Sequence, residues 1–158
     1  MPTNQNNELE TVQQAIQTAD QWLSSERFVS ELNRALPSVG ITGERMVRMI
    51  LTEMRANPKL AQCSIQSVMG GVMVAAQMGL EFGPAGYCWL IPRWSAKKRA
   101  NEAAFQIGYK GLLNLAWRSD KISSLICEVV YANDTFSYNL GIPPTLKHIP
   151  ADTDKVYN

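Results

Sequence analysis

The sequence has few of the residues that form metal sites or carry out covalent catalysis. Its 158 residues include one histidine, His148, and three cysteines, Cys63, Cys88 and Cys127, without a Cys-x-x-Cys pair. A structural zinc ion takes four ligands, most often cysteine or histidine, so a zinc-binding domain is disfavoured. We interpret the three thiols as small buried side chains in a reducing compartment.

Long apolar runs are also missing. No stretch approaches the roughly 18 consecutive apolar residues of a membrane-spanning helix, and the polar N-terminus lacks the pattern of a secretory signal. With 158 residues, of which 46% are hydrophobic, the chain is long enough for one globular domain with its own core. We therefore predict a cytoplasmic protein that does not associate with a membrane.

Catalytic constellations are likewise absent. Acidic residues are sparse after Glu81, none of them pair at metal-site spacing, and the motif Ser-x-x-Lys does not occur. The glycine pair at residues 70–71 follows no predicted strand and precedes no Lys-Ser or Lys-Thr, so it is not a phosphate-binding loop. These absences disfavour a nuclease or an ATPase, and they predict a protein that is not an enzyme and has no cofactor.

Positive charge is concentrated in the middle of the chain. Residues 93–121 carry seven basic and two acidic side chains, about +5 in a chain whose formal charge is +1, whereas residues 1–53 carry −3. A basic segment that also carries aromatic residues is typical of a surface that binds a polyanion. The seven basic residues are Arg93, Lys97, Lys98, Arg99, Lys110, Arg118 and Lys121.

The spacing of apolar residues predicts an α+β fold. Intervals of three and four predict helices, and Thr42, Ser64 and Gly79 supply start and stop signals. Helices, a β-hairpin leading into a helix, and then further strands of a small antiparallel sheet are predicted. In chain order we expect a disordered tail at 1–8, helices within 9–23, 24–36, 42–57 and 64–78, strands at 87–92 and 104–107, a helix at 109–119, strands at 124–131 and 134–138, and an irregular loop at 141–150.

The helix predicted at 109–119 offers one polar face. Lys110, Asn114, Trp117 and Lys121 follow one another at spacings of four, three and four, and Arg118 flanks them. Cations neutralise phosphates and an indole can stack on a base of any identity, so this face is a candidate nucleic-acid contact. The alternative is an ordinary solvated helix rim with a partly buried indole. The residues predicted to face the core are Leu112, Leu115 and Ala116.

The basic loop between the two strands is the second candidate. Lys97, Lys98 and Arg99 at a loop tip are usually a solubilising turn or protect an edge strand. Together with Arg93 and Lys110 they could instead form one wall of a basic groove. Aromatic residues available for stacking are Tyr87, Trp89, Trp94 and Tyr109, although we expect Tyr87 and Trp89 to lie in the core.

Several segments together resemble the RecT family of phage single-strand annealing proteins. The most specific are Gln-Ile-Gly-Tyr-Lys-Gly at 106–111 and Met-Gly-Leu-Glu at 78–81. Supporting segments occur in the family's order at 42–49, 53–55, 76–81, 86–92, 105–111 and 115–119. The resemblance covers about residues 28–150.

The resemblance implies ATP-independent binding of single-stranded DNA and of the annealed duplex, in the cytoplasm of a bacterial host. It implies assembly into rings or filaments, and the partnership of an exonuclease and of the host single-strand-binding protein. By position, Lys110 and Arg118 would face the DNA backbone, with the hairpin at 93–99 beside them. Because annealing breaks no covalent bond, no catalytic residue comes with the family.

Two departures from the family accompany this interpretation. Asp120 stands where the family tends to have a glycine after the helix, so a different turn is expected there. Family members also continue with further strands and helices. We therefore divide the chain into a tail and helix at 1–24 and an annealing core at 25–158 that is incomplete at its C-terminal end, with residues 125–130 as an unpaired edge.

A DNA-binding annealing protein is the first hypothesis. Two other hypotheses stay open at this point, and the second is a protein–protein module. The acidic N-terminal half of one copy could dock on the basic half of another, which would make the chain an oligomerisation module, or it could be an inactive remnant with non-specific DNA binding. An enzyme that acts on nucleic acid is the third hypothesis. Salt-dependent binding of oligonucleotides separates the first two, and cleavage products would identify the third.

Overall fold

Among residues 3–37 and 40–151, which the computed structural model describes, six helices and four strands follow one another along the chain. The α+β fold class is therefore confirmed. The chain divides into two compact units, the first ending at Lys121 and the second beginning at Ile122. The elements are α1 Thr3–Leu23, α2 Glu26–Ala35, α3 Gly43–Ala56, α4 Pro58–Ala61, α5 Ile65–Met78, β1 Cys88–Ser95, β2 Ala100–Ile107, α6 Tyr109–Arg118, β3 Thr135–Asn139 and β4 Thr145–Ile149.

Local signals set the ends of the central helices as predicted. The Thr42 hydroxyl oxygen accepts a hydrogen bond from the backbone N–H of Arg45 at 3.3 Å, and the Ser64 hydroxyl caps α5 in the same way. Gly79 ends α5 with φ +61°, in the left-handed region that glycine adopts without strain. These caps satisfy backbone groups that the helix ends would otherwise leave unpaired.

Two helical segments differ from the prediction. Helix α1 begins at Thr3, so the expectation of a disordered tail is wrong from that residue onward. Once a helix is nucleated by apolar contacts further along, each added residue gains a hydrogen bond, and a polar sequence can follow. The single turn α4 was not predicted, although Pro58 at its first position is typical of a helix start.

The core of the first unit lies between the helices and one face of the β-hairpin. Val68, Val72 and Ala75 of α5 are fully buried. A side-chain carbon at Gly71 would collide with the Leu90 side chain, so this glycine admits a leucine from the hairpin. The atom that approaches Gly71 thus belongs to a side chain and not to another backbone, whereas Gly70 faces open space.

The hairpin is longer than predicted. Strands β1 and β2 are antiparallel in a register that runs from Cys88 opposite Ile107 to Ser95 opposite Ala100. Arg93 therefore belongs to a strand rather than to the basic loop, which shrinks to residues 96–99.

Both edges of the hairpin are partly occupied. The start of α5 lies along β2, where Ser64 N–H donates to the Asn101 carbonyl and Ala103 N–H donates to the Ser67 hydroxyl oxygen, each at 2.9 Å. Along β1, Phe82 forms an isolated parallel bridge with Cys88. Pro92 lies in the middle of the same strand.

The strand order of the second unit differs from the prediction. Strand β3 pairs with β4, not with residues 124–131, and residues 145–149 are a strand rather than an irregular loop. Residues 122–130 are exposed and belong to no strand. Their β-branched side chains favour extended backbone, but a strand also requires a hydrogen-bonded partner.

A carboxylate organises the second unit. Asp134 accepts hydrogen bonds from the backbone N–H groups of Ala151 and Tyr131, each at 2.9 Å, and its Oδ2 lies 2.9 Å from Nε2 of His148. The Ala151 amide, then His148, then the Tyr131 amide lower the pKa of Asp134 to about 2. One side chain thus bonds to the segment that precedes β3, to β4 and to the segment that follows β4, and it closes the open end of the hairpin.

Candidate nucleic-acid interface

Helix α6 begins directly after β2 because two glycines allow a tight junction. Gly108 occupies the N-cap position with extended backbone, and its N–H donates to the Tyr87 carbonyl at 2.9 Å. A side-chain carbon at Gly111 would collide with that same carbonyl oxygen, so only glycine fits. The junction presents Tyr109, 69% exposed, and Lys110, also exposed, to solvent.

Three of the four residues predicted to share a helix face lie within α6. Lys110 and Trp117 are exposed and Asn114 is half-buried between them. Lys121 lies beyond the last helical residue, Arg118, so its predicted position on this face is wrong. The face therefore carries one cation, one amide and one indole.

The turn after α6 explains the unusual residue at 120. Asp120 has φ +53°, in the left-handed region that glycine adopts most easily. Aspartate is one of the few other residues found there. The chain thus makes a left-handed turn that glycine would also allow, and the expected change of turn is not needed.

Arg118 has structural contacts. Its guanidinium NH1 donates to the Gly79 carbonyl at 3.1 Å, and NH2 donates to the Met78 carbonyl. Carbonyls at the C-terminus of a helix carry partial negative charge, which a cation stabilises. Arg118 therefore ties α6 to the end of α5, a role that sequence reasoning missed.

The inner face of α6 also differs from the prediction. Gly111 is buried, and Leu115 is partly buried against the core. Gly111, Leu115 and Arg118 follow one another at spacings of four and three, so they lie on the same face of α6. Ala116 is half-buried, but Leu112 is 55% exposed, so its predicted place in the core is wrong.

The cations of the hairpin differ in how they are engaged. Lys98 forms an ion pair with Glu102, and the hydrogen bond from Lys98 is the main cause that lowers the pKa of Glu102. Arg93 lies opposite Glu102 in the register, and its NH2 donates to Gln106 Oε1 at 3.5 Å.

The other two cations of the loop have no bonded partner among the described residues. Lys97 and Arg99 are exposed, and their side chains make no hydrogen bond or ion pair with the part of the chain that the structure describes. Arg99 has φ +50° and closes the turn. The loop thus offers two unpaired cations and one, Lys98, whose charge is offset.

Trp89 is a candidate for stacking on a base, although the sequence predicted that it lies in the core. It lies on the face of β1 opposite to that of Cys88 and Leu90, which are buried, and it is 40% exposed. The expectation of a core position is therefore wrong for Trp89, whereas Tyr87 is partly buried against the core. The alternation of a strand was the available signal, since burial of Cys88 and Leu90 directs their neighbour outward.

Other kinds of site find little support in the described residues. None of their histidine, cysteine, aspartate and glutamate side chains form a group of three that could hold a metal ion. Within the same ranges, no helix has the length and apolar character to cross a membrane. A cavity of about 870 Å³ in the second unit is lined mostly by apolar side chains, together with Glu128, Asp134 and His148, and has no lysine or arginine, so it is poorly suited to a polyanion.

Comparisons with known proteins show one family. The model of the RecT family matches residues 44–156. Protein RecT of Escherichia coli (strain K12) is 36% identical over 127 residues, which are 78% of this chain and 47% of that protein. The uncharacterized protein YqaK of Bacillus subtilis (strain 168) is 28% identical over 145 residues, 91% of this chain and 46% of that protein. The chain spans about half the length of these two relatives.

Proposed function

The chain belongs to the RecT family, and from that premise we propose that it binds single-stranded DNA and anneals complementary strands without ATP. The observation that carries the proposal is the junction between β2 and α6, where Lys110 is exposed on a backbone held by Gly108 and Gly111. A cation on a fixed backbone loses little conformational entropy when it contacts a phosphate.

We call the exposed cations of the β1–β2 hairpin, together with the polar and aromatic residues of α6 and Lys121, the hairpin–helix surface. Its cations contact phosphates in our proposal, and its aromatic rings contact bases. No helix in this part of the chain presents the row of polar side chains that reads base edges, so we propose little sequence preference. The surface consists of Arg93, Lys97, Lys98, Arg99, Tyr109, Lys110, Asn114, Trp117 and Lys121.

The contacts of the cations rank them within this surface. Lys110 ranks first because it is exposed and its backbone is fixed. Lys98 ranks below Lys97 and Arg99 because Glu102 already offsets its charge. Arg118 leaves the group of proposed phosphate contacts, since its guanidinium is bonded to two carbonyls.

Such a surface favours annealing in a physical way. Two strands repel each other through their phosphates, and cations bound to one strand reduce that repulsion. Contacts to the backbone leave Watson–Crick edges free to pair with a second strand. No covalent bond changes, so neither a nucleophile nor a metal-bound water is required.

The whole-protein properties follow as proposals from the family. We propose assembly into rings or filaments, binding of the annealed duplex, and cooperation with a partner exonuclease and the host single-strand-binding protein in a bacterial cytoplasm. Residues 25–158 would form the annealing core. The recombination and repair roles of such a protein require these partners.

Oligonucleotide binding at several salt concentrations tests the proposal. If about five phosphates are contacted, log affinity should fall with log salt with a slope of roughly −3.5 for single strands. Binding should persist in excess chelator and without ATP, and mixing with a complementary strand should accelerate duplex formation. Binding that does not depend on salt, or that is lost in chelator, would contradict the proposal.

One observation favours a protein-binding role as the second candidate. Ile126, Leu140, Ile142 and Leu146 of the second unit are each more than two-thirds exposed, and large exposed apolar patches often mark protein contacts. Self-association that is insensitive to salt, in the absence of DNA binding, would support an oligomerisation module instead. Oligonucleotide fragments of reduced length after incubation would indicate an enzyme.

A further inference from the structure

Trp89 is seated against two glycines. A side-chain carbon at Gly108 would lie 2.5 Å from Cζ3 of the indole, and one at Gly86 would lie 3.4 Å from Cζ2. Any residue other than glycine at 108 would therefore displace the ring. The ring rests on backbone on this side and is still 40% exposed.

Polar and charged residues lie near the ring. Gln106 lies directly opposite Trp89 in the hairpin, and Arg93 bonds to the Gln106 amide oxygen. The Lys110 side chain approaches within 4.0 Å of the same Gly86 position that the indole contacts, so Lys110 and Trp89 are neighbours. Two cations thus lie near the ring, Lys110 beside Gly86 and Arg93 bonded to Gln106.

We propose that Trp89 stacks on an unpaired base of the bound strand and thereby makes the surface prefer single-stranded over double-stranded DNA. This inference rests on the proposed function, since it assumes that the hairpin–helix surface binds DNA. In a duplex both faces of an internal base are already stacked, so the indole can add a contact only to an unpaired base. Lys110 and Arg93 would hold the phosphates beside that base.

The other tryptophans are less suited to this role. Trp94 lies on the opposite face of the hairpin, paired with Asn101 near the turn, and is 65% exposed. Trp22 lies on α1, away in sequence from the basic segment, and is 56% exposed. A ring that is already held loses less side-chain entropy on stacking than one that is free in solvent.

The test compares a single-stranded oligonucleotide with an abasic strand of the same length, which keeps the phosphates and lacks the bases. Wild-type protein should bind the abasic strand about 5- to 100-fold more weakly, in keeping with the effect of stacking a base on an aromatic ring. Trp89→Leu should narrow the difference between the two strands by weakening binding of the base-bearing strand alone, and Trp89→Phe should keep most of the difference. Trp94→Leu, the matched control, should behave as wild type.

The salt dependence separates stacking from charge. Trp89→Leu should leave the slope of log affinity against log salt unchanged, whereas Lys110→Ala should reduce it by about 0.7. If Trp89→Leu does not fold, a variant with Trp22, Trp94 and Trp117 changed to Phe leaves Trp89 as the one indole. Its fluorescence should then be quenched by the base-bearing strand and not by the abasic strand.

The outcomes distinguish this inference from the proposed function. If no oligonucleotide binds, the proposed function fails and the inference fails with it. If wild-type protein binds both strands equally with the expected salt slope, the surface binds DNA but Trp89 does not stack, and the inference is overturned. Equal weakening by Trp94→Leu and Trp89→Leu would also overturn it.

Discussion

Replacing Arg118 by alanine should lower stability and leave the salt dependence of DNA binding unchanged. The guanidinium bonds to the carbonyls of Met78 and Gly79, which joins α6 to the C-terminus of α5. Hydrogen bonds that involve a charged group contribute roughly 1.5–3 kcal/mol, and a cation at a helix C-terminus about 0.3–1 kcal/mol. Because the side chain is exposed, water compensates part of the loss. We therefore expect the free energy of unfolding to fall by about 1–2 kcal/mol.

Chemical denaturation and oligonucleotide binding together give the measurement. Arg118→Ala should shift the unfolding midpoint to lower denaturant and weaken DNA binding by a similar factor at every salt concentration, since the position of α6 becomes less fixed. A lysine at 118 can reach one carbonyl and should recover part of the stability. Lys121→Ala is the matched control, an exposed cation whose loss should change stability by less than about 0.5 kcal/mol.

A specific result would refute this reasoning. If Arg118→Ala unfolds like wild type and the salt slope becomes shallower by about 0.7, then Arg118 contacts a phosphate. In that case the two carbonyl contacts contribute nothing measurable, and the resemblance-based expectation for Arg118 would be correct.

Three further predictions concern other residues. Lys110→Ala should weaken single-strand binding more than Lys98→Ala, measured by anisotropy at one salt concentration, and equal losses would contradict the ranking. Gly111→Ala should lower the free energy of unfolding by about 1–3 kcal/mol, because its methyl group would meet the Tyr87 carbonyl; an unchanged melting temperature would argue against that contact. Since the pKa of Asp134 is lowered from 3.8 to about 2, its stabilising effect is present above pH 3.8 and is lost as the pH falls toward 2; amide NMR of the β3–β4 hairpin should show this loss in wild type and not in Asp134→Asn.

Local signals predicted the elements whose ends they determine. Ser64 and Gly79 fixed α5, and the glycines at 108 and 111 accompanied the predicted change from strand to helix. Each of these residues acts on backbone within a few positions of itself, so the amino-acid order contains the information.

Features that depend on distant partners were not predictable in this way. Arg118 is basic and follows a helix pattern, but the carbonyls that it bonds are 39 and 40 residues earlier. Residues 124–131 have strand propensity, yet β3 pairs instead with β4, which the prediction treated as a loop. Strand propensity is a property of one segment, whereas strand pairing depends on which of several segments forms the better hydrogen-bonded partner.

The two partly occupied edges of the hairpin bear on how copies of the chain can assemble. The start of helix α5 bonds to the outer edge of β2, while the bridge of Phe82 and the proline at 92 interrupt the outer edge of β1. Proline has no N–H to offer a further strand. An additional β-strand would therefore find no continuous row of free backbone N–H and C=O groups at either edge. The hairpin is thus poorly suited to nucleate a cross-β assembly. Association through this hairpin would then rely on side-chain contacts, which exchange more easily than a continuous ladder of backbone hydrogen bonds.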